Sequence, residues 1–159
     1  MREVHGSLDG AGLRIAIVAS RFNELVTSRL VEGAIVALRG ARVREEDTLL
    51  AWVPGSFEIP VVAKRLATSG RFHAIICLGA VIRGETAHFE YVAGEAARGV
   101  AQVARETGVP CIFGVLTTDD TAQALERAGG KMGNKGYDAA LAAVQMATLL
   151  RALEADPTP

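Results

Sequence analysis

Ala74-Ile75-Ile76-Cys77-Leu78-Gly79-Ala80-Val81-Ile82-Arg83-Gly84-Glu85-Thr86-Ala87-His88-Phe89-Glu90-Tyr91 decides how the chain is read. Residues 74–80 carry the unbroken apolar pattern of a strand buried on both faces. They run without pause into a polar turn, and the turn opens a long helix predicted over 87–107, stopped by Gly108 and Pro110. In open parallel sheets, ligands bind beyond the carboxyl ends of strands. Helix mouths offer free N–H groups and partial positive charge, which suit anions. The segment therefore brings an anion site and an imidazole, His88, within a few residues of each other.

The same alternation extends in both directions. Residues 13–19 read as a strand, and 23–38 as a helix with apolar residues at Leu25, Leu30, Ile35 and Leu38 and a stop at Gly40. A second strand is predicted over 48–53, closed by Pro54-Gly55. A helix over 57–69 follows, with Pro60 in its first turn. Beyond the opening segment come a strand over 111–116, a short helix over 121–128, a glycine-rich loop over 129–135 and a last helix over 136–153. Strands alternating with helices imply an α/β fold: a four-stranded parallel sheet with right-handed crossovers and helices on both faces. Residues 1–159 read as one domain. Residues 1–12 form an N-terminal arm, either disordered or adding an edge strand at 4–8 to a sheet, and 154–159 form a fraying C-terminal tail.

The chain has 159 residues, half of them hydrophobic and only 5% aromatic, with a formal net charge of −1. A chain of this size buries about 70% of its unfolded surface, so a core without staples is feasible. Near-neutral charge argues against a general nucleic-acid or anionic-membrane binder. Cys77 and Cys111 both lie in apolar runs and read as buried, reduced thiols, and no C-x-x-C pair is present. No signal-peptide core or membrane-length apolar run is evident, so a cytoplasmic protein is expected.

The predicted strand ends gather Phe22, Phe57, Glu58, Arg83, Glu85, Thr86 and His88 at one edge. Phe22 sits in a polar turn; it either folds back on the core or offers a face for stacking a flat ring. Glu58 is either a carboxylate favoured near the positive end of a helix or an acceptor for substrate hydroxyls. His5 and His73 read as surface residues, which leaves His88 as the acid–base candidate. Arg127, Lys131 and Lys135 surround a glycine-rich turn. They are either solvated charge at a helix end or, at Arg127, a planar fork that matches phosphate oxygens. The dinucleotide fingerprint, the P-loop, the H-E-x-x-H helix and the G-x-S-x-G elbow are all absent.

With those residues in view, the chain resembles the lumazine synthase family of riboflavin biosynthesis from about Gly12 to Leu153. The resemblance rests on Ser20-Arg21-Phe22-Asn23, on Val53-Pro54-Gly55-Ser56-Phe57-Glu58-Ile59-Pro60, on Gly79 to Phe89, on Phe113-Gly114-Val115-Leu116-Thr117, and on Glu126-Arg127-Ala128-Gly129 followed by Gly133-Asn134-Lys135-Gly136. It implies a transferase that condenses 5-amino-6-(D-ribitylamino)uracil with 3,4-dihydroxy-2-butanone 4-phosphate to 6,7-dimethyl-8-ribityllumazine, with no metal and no organic cofactor. By match, Phe22 would stack on the pyrimidine, and Ser56, Phe57 and Glu58 would line the ribityl pocket. Val81 and Ile82 would contact the uracil, with Ala80 beside them in the substrate site, Glu85 and Thr86 would meet the phosphate through backbone N–H groups, and His88 would move protons. Phe113 and Arg127 would come from an adjacent subunit, with Arg127 on the phosphate and Lys135 and Asp138 as further contacts. Gly-Glu-Thr stands at 84–86 where many relatives have Gly-Ala-Thr, and the extra carboxylate is expected to face away from the phosphate.

The family implies a flavodoxin-like three-layer α/β/α sandwich, an N-terminal strand added to a neighbouring subunit's sheet, and homopentamers. The bend at 133–136 lacks the insertion of many pentamer-only members, which favours twelve pentamers in an icosahedral shell. Riboflavin synthase is the expected protein partner, with no nucleic acid and no membrane. The rival readings are an archaeal-type riboflavin synthase, which needs no phosphate pocket, and a non-enzyme: a flavodoxin-like binder of FMN, although redox flavodoxins are usually acidic, or a shell protein without activity.

Overall fold

The computed structural model describes residues 1–157. Its main sheet has four parallel strands in the order β2-β1-β3-β4, with β1 at Ile15–Ser20, β2 at Thr48–Val53, β3 at Ala74–Ile82 and β4 at Cys111–Thr118. Continuous apolar sequence makes the central strands inner ones: β1 is buried at every residue and β3 at all but its last. The expected strand positions hold, but β3 and β4 each run two residues further than the apolar pattern suggested. Those extra residues continue the ladder, pairing Val81 with Thr117 and Ile82 with Thr118.

Helices cover both faces, as the alternation requires. On one face, α1 (Glu24–Gly40) and α5 (Lys135–Glu154) bury Val26, Leu30, Val31, Ala139, Ala140 and Val144 in a core with Ile15, Ile17, Ile76 and Leu78. On the other, α2 (Ile59–Thr68) and α3 (His88–Thr107) bury Ile59, Ala63, Val100 and Val103 against Val18, Ile75 and Cys77. This is a three-layer α/β/α sandwich. The buried side of α5 is mostly small, and at Gly136 a Cβ would lie 1.9 Å from the Leu30 carbonyl oxygen. Only a bare Cα lets α5 start so close to α1.

Several local expectations change. The helix predicted from Phe57 begins as a 3₁₀ turn, Ser56–Glu58, before α2, and Pro60 sits where a missing N–H costs nothing. The short helix α4 stops at Glu126 (Thr121–Glu126). The glycine-rich stretch is not a plain loop but a small antiparallel hairpin, β5 (Ala128–Gly130) with β6 (Gly133–Asn134), too short to show a strand period.

Residues 1–12 form no strand within this chain; they lie along α5. The Ser7 N–H donates to Thr148 Oγ1 at 2.8 Å, and Thr148 Oγ1 donates back to the Ser7 carbonyl at 3.0 Å. The tail begins one residue later than expected. Asp156 forms an ion pair with Arg2, while 158–159 of the predicted tail lie outside the described residues.

His73 is half-buried rather than a surface residue. Its Nδ1 accepts from the Arg14 N–H at 2.9 Å, and its Nε2 lies 3.1 Å from the Arg151 guanidinium.

Candidate active site

The chain runs from β1 outward to β2, then returns across to β3 on the other side of β1. At that reversal the connections leaving β1 and β3 turn to opposite faces of the sheet, toward α1 and α3, and leave a crevice beyond the paired strand ends. A cleft of about 690 Å³ opens there, lined by groups from every flanking turn. The β1 turn supplies Phe22, the β2 turn supplies Ser56, Phe57 and Glu58, and the end of β3 supplies Ala80, Val81 and Ile82. Thr86 and His88 come from the mouth of α3.

Each turn is fixed by its own backbone chemistry. Asn23 adopts the left-handed conformation (φ 61°) that lets the β1 turn reverse without a glycine, and its Nδ2 donates to the Ala80 carbonyl at 2.8 Å. The Phe22 N–H donates to the Pro54 carbonyl at 3.0 Å, which ties the first two turns together. At Gly79 a Cβ would lie 2.6 Å from Ser56 Oγ and 2.7 Å from Ser20 Oγ, so this glycine lets the three strand ends converge.

Of the two readings open for Phe22, the structure takes the outward one: the side chain is 72% exposed over the cleft. Glu58 is half-buried, and its carboxylate takes no hydrogen bond from any described residue. Neither ring nitrogen of His88 has a partner among the described residues. Only its backbone N–H does, in a long 3.4 Å contact to Thr86 Oγ1. Helix α3 has no side-chain cap at Ala87; the Glu90 N–H turns back to the Ala87 carbonyl at 3.1 Å, and the N–H groups of Glu85 and Thr86, just before the helix, have no partner among the described residues. Glu85 is exposed and does not line the cleft.

Phe113, Arg127, Lys135 and Asp138 lie elsewhere. They line a second depression of about 480 Å³ along the open edge strand β4. Arg127 is held there by donating NH1 to the Gln123 carbonyl at 3.0 Å, and Lys135 stands 3.7 Å from the Asp138 carboxylate. Lys131, in the hairpin turn, lines neither space. One protomer thus divides the candidate residues into two sets on different surfaces.

The cleft also contains residues that sequence reasoning passed over, among them Tyr91 and Val92. Their signal was present: three and four residues beyond His88 on a helix, they share its face.

The thiols take no part in either space. Burial pushes the Cys77 thiol far up, and Cys111 up to about 11. Among the described residues no cluster of three or more His, Cys, Asp or Glu is placed to hold a metal ion, and no helix is long and apolar enough to cross a membrane.

The family model that matches this sequence describes 6,7-dimethyl-8-ribityllumazine synthase and spans residues 12–151, from the approach to β1 to the last turn of α5. All the strand-end turns that build the cleft, and the β4 edge with Arg127, fall inside that match. The chain belongs to the 6,7-dimethyl-8-ribityllumazine synthase family.

Proposed function

We propose that the two depressions are halves of one composite active site, completed when the β4 edge of one protomer meets the cleft of the next. The overall activity follows from the family: the protein is a transferase of riboflavin biosynthesis that condenses 5-amino-6-(D-ribitylamino)uracil with 3,4-dihydroxy-2-butanone 4-phosphate to give 6,7-dimethyl-8-ribityllumazine. The observation that carries the composite reading is the separation itself. Phe22, Glu58 and His88 share one cleft, whereas Phe113 and Arg127 line the other depression, beside the edge strand.

In this reading the pyrimidine stacks on the exposed face of Phe22 and contacts the β3 end at Ala80, Val81 and Ile82. Glu58, with no protein donor, accepts from ribityl hydroxyls beside Ser56 and Phe57. The phosphate of the second substrate meets the free N–H groups at Glu85 and Thr86, and its oxygens are matched by the guanidinium of the neighbour's Arg127, with Lys135 and Asp138 close by. Imine formation, phosphate elimination, ring closure and loss of water then proceed between substrates already held together. Such juxtaposition contributes up to about 7–11 kcal/mol. His88, standing between the phosphate end and the ring, transfers protons at the amine and carbonyl, a contribution of about 100- to 10,000-fold.

The assembly we propose is a homopentamer, with twelve pentamers in a shell, an N-terminal arm that can exchange onto a neighbour's sheet, and riboflavin synthase as partner. We also read residues 1–159 as one catalytic domain in a reducing, cytoplasmic setting, which the two free thiols support. The direct test mixes both substrates with purified protein and follows lumazine absorbance. The composite site is tested by dissociating and reassembling a mixture of His88→Ala and Arg127→Ala proteins. Activity above either parent is expected, because some interfaces then pair an intact His88 with an intact Arg127. A mixture no better than its parents would mean that each protomer works alone.

A further inference from the structure

Arg83 does not line the cleft, yet it ties together the segments that frame the cleft's phosphate end. Its backbone N–H donates to the Thr118 carbonyl at 2.8 Å, extending the β3–β4 ladder by one step. Its Nε donates to Asp119 Oδ1 at 3.0 Å, in the turn after β4. Its NH1 lies 3.6 Å from Glu90 Oε1, and its guanidinium carbon lies 4.6 Å from the centre of the Phe89 ring. Phe89 and Glu90 form the first turn of α3, immediately beside His88.

The loop that Arg83 spans is weakly held by its own bonds. Ala87 caps α3 without a side-chain hydrogen bond, and His88 N–H reaches Thr86 Oγ1 only at 3.4 Å. Apart from the Glu90 N–H donating to the Ala87 carbonyl at 3.1 Å, the mouth of α3 lacks a local lock, and the guanidinium supplies one from outside. We infer that Arg83 is a positioning residue for His88: it straps the first turn of α3 to the turn after β4, and so sets where the imidazole and the N–H groups at Glu85 and Thr86 stand. The inference rests on the reading of His88 as the proton-transfer group. It needs arginine in particular, because only a planar, forked cation can stack on Phe89 while it bonds Asp119 edge-on. The ion pairs are solvent-exposed, so they add little to global stability.

The test is kinetic. Arg83→Ala should lower kcat about 10-fold, since small displacements of a reacting group are costly. It should raise KM for the butanone phosphate while leaving KM for the pyrimidine within about 2-fold, because Phe22 and Glu58 sit on other turns. Arg83→Lys should fall between wild type and Arg83→Ala. In a His88→Ala background the same substitution should cost less than about 2-fold further in kcat, because the group it positions is gone.

A full, multiplicative loss in that background overturns the inference, as does an equal rise in both KM values or an unchanged kcat. His88→Ala with unaltered kcat removes the reading of His88 and the strap together. A real His88→Ala loss with additive Arg83→Ala removes the strap alone. Should Arg83→Ala fail to fold, Asp119→Asn carries the same kinetic expectation.

Discussion

His88 and Arg127 are separated in the protomer, and they are expected to fail in different ways. The imidazole stands at an uncapped helix mouth with no protein partner for its ring. On the proposed reading, removing it takes away proton transfer but leaves both binding surfaces intact. His88→Ala should therefore slow kcat by about 10- to 100-fold or more without abolishing turnover. Steady-state kinetics with both substrates checks this, and unchanged rates would take His88 out of the mechanism. Arg127 is oriented by the Gln123 carbonyl and leaves the rest of its fork free for phosphate oxygens. Arg127→Ala should mainly raise KM for the butanone phosphate. An effect confined to the pyrimidine would contradict the assignment.

At the scale of elements, the start of α5 is fixed by a single side chain. Asn134 Oδ1 accepts from the N–H groups of Gly136 at 2.8 Å and Tyr137 at 3.1 Å, and its Nδ2 donates to the Arg29 carbonyl at 3.0 Å. It caps one helix and pins it to another. Asn134→Ala should cost about 2 kcal/mol, from the cap and the carbonyl left unpaired. Thermal unfolding should then shift down by about 4–8 °C, and a shift below about 1 °C would show that the cap carries no stability. This element also marks the limit of what the sequence discloses. Long apolar runs flanked by glycine and proline identified the four strands, their parallel order of burial and the helices between them. The hairpin at 128–134 did not show, because strands of three and two residues are too short for a period. The cleft residues at the strand ends were legible because loops between strand and helix must collect at one edge. Which side of β4 each would face was not, since side-chain direction at a strand's end depends on register and on the packing of α5. The left-handed Asn23 was likewise hidden: the absence of glycine in the first turn showed what the turn does not bind, not how it turns.

For the molecule as a whole, two properties follow from what the single chain leaves unbalanced. The first concerns pH. Burial, then the positive charges of Arg151 and Arg14, hold the His73 imidazole below its ordinary range, against smaller opposing effects from the Arg14 N–H and Asp47. A base whose pKa is lower in the folded state binds its proton preferentially when unfolded. Its contribution to stability is therefore complete above about pH 6.5 and declines as the pH falls from there toward the depressed folded value. Thermal melts of His73→Gln and wild type should converge on acidification through that window. A constant difference would place the pH dependence elsewhere.

The second property concerns assembly. Phe57 in the cleft and Phe113 in the second depression are 57% and 40% exposed, and Tyr91 in the cleft, Val61 on α2 and Tyr137 at the start of α5 are exposed as well. Apolar side chains spread over two surfaces, rather than gathered into one self-complementary patch, suit a heterologous contact that closes into a ring. The β6 strand leads directly into α5 at Lys135, with no inserted residues between them, as the proposed shell requires. Light scattering on size-exclusion fractions should accordingly find a particle near sixty chains. A species near five chains would retain the shared active site and remove the shell, whereas an active monomer would remove both, because Arg127 could then reach no neighbour's phosphate.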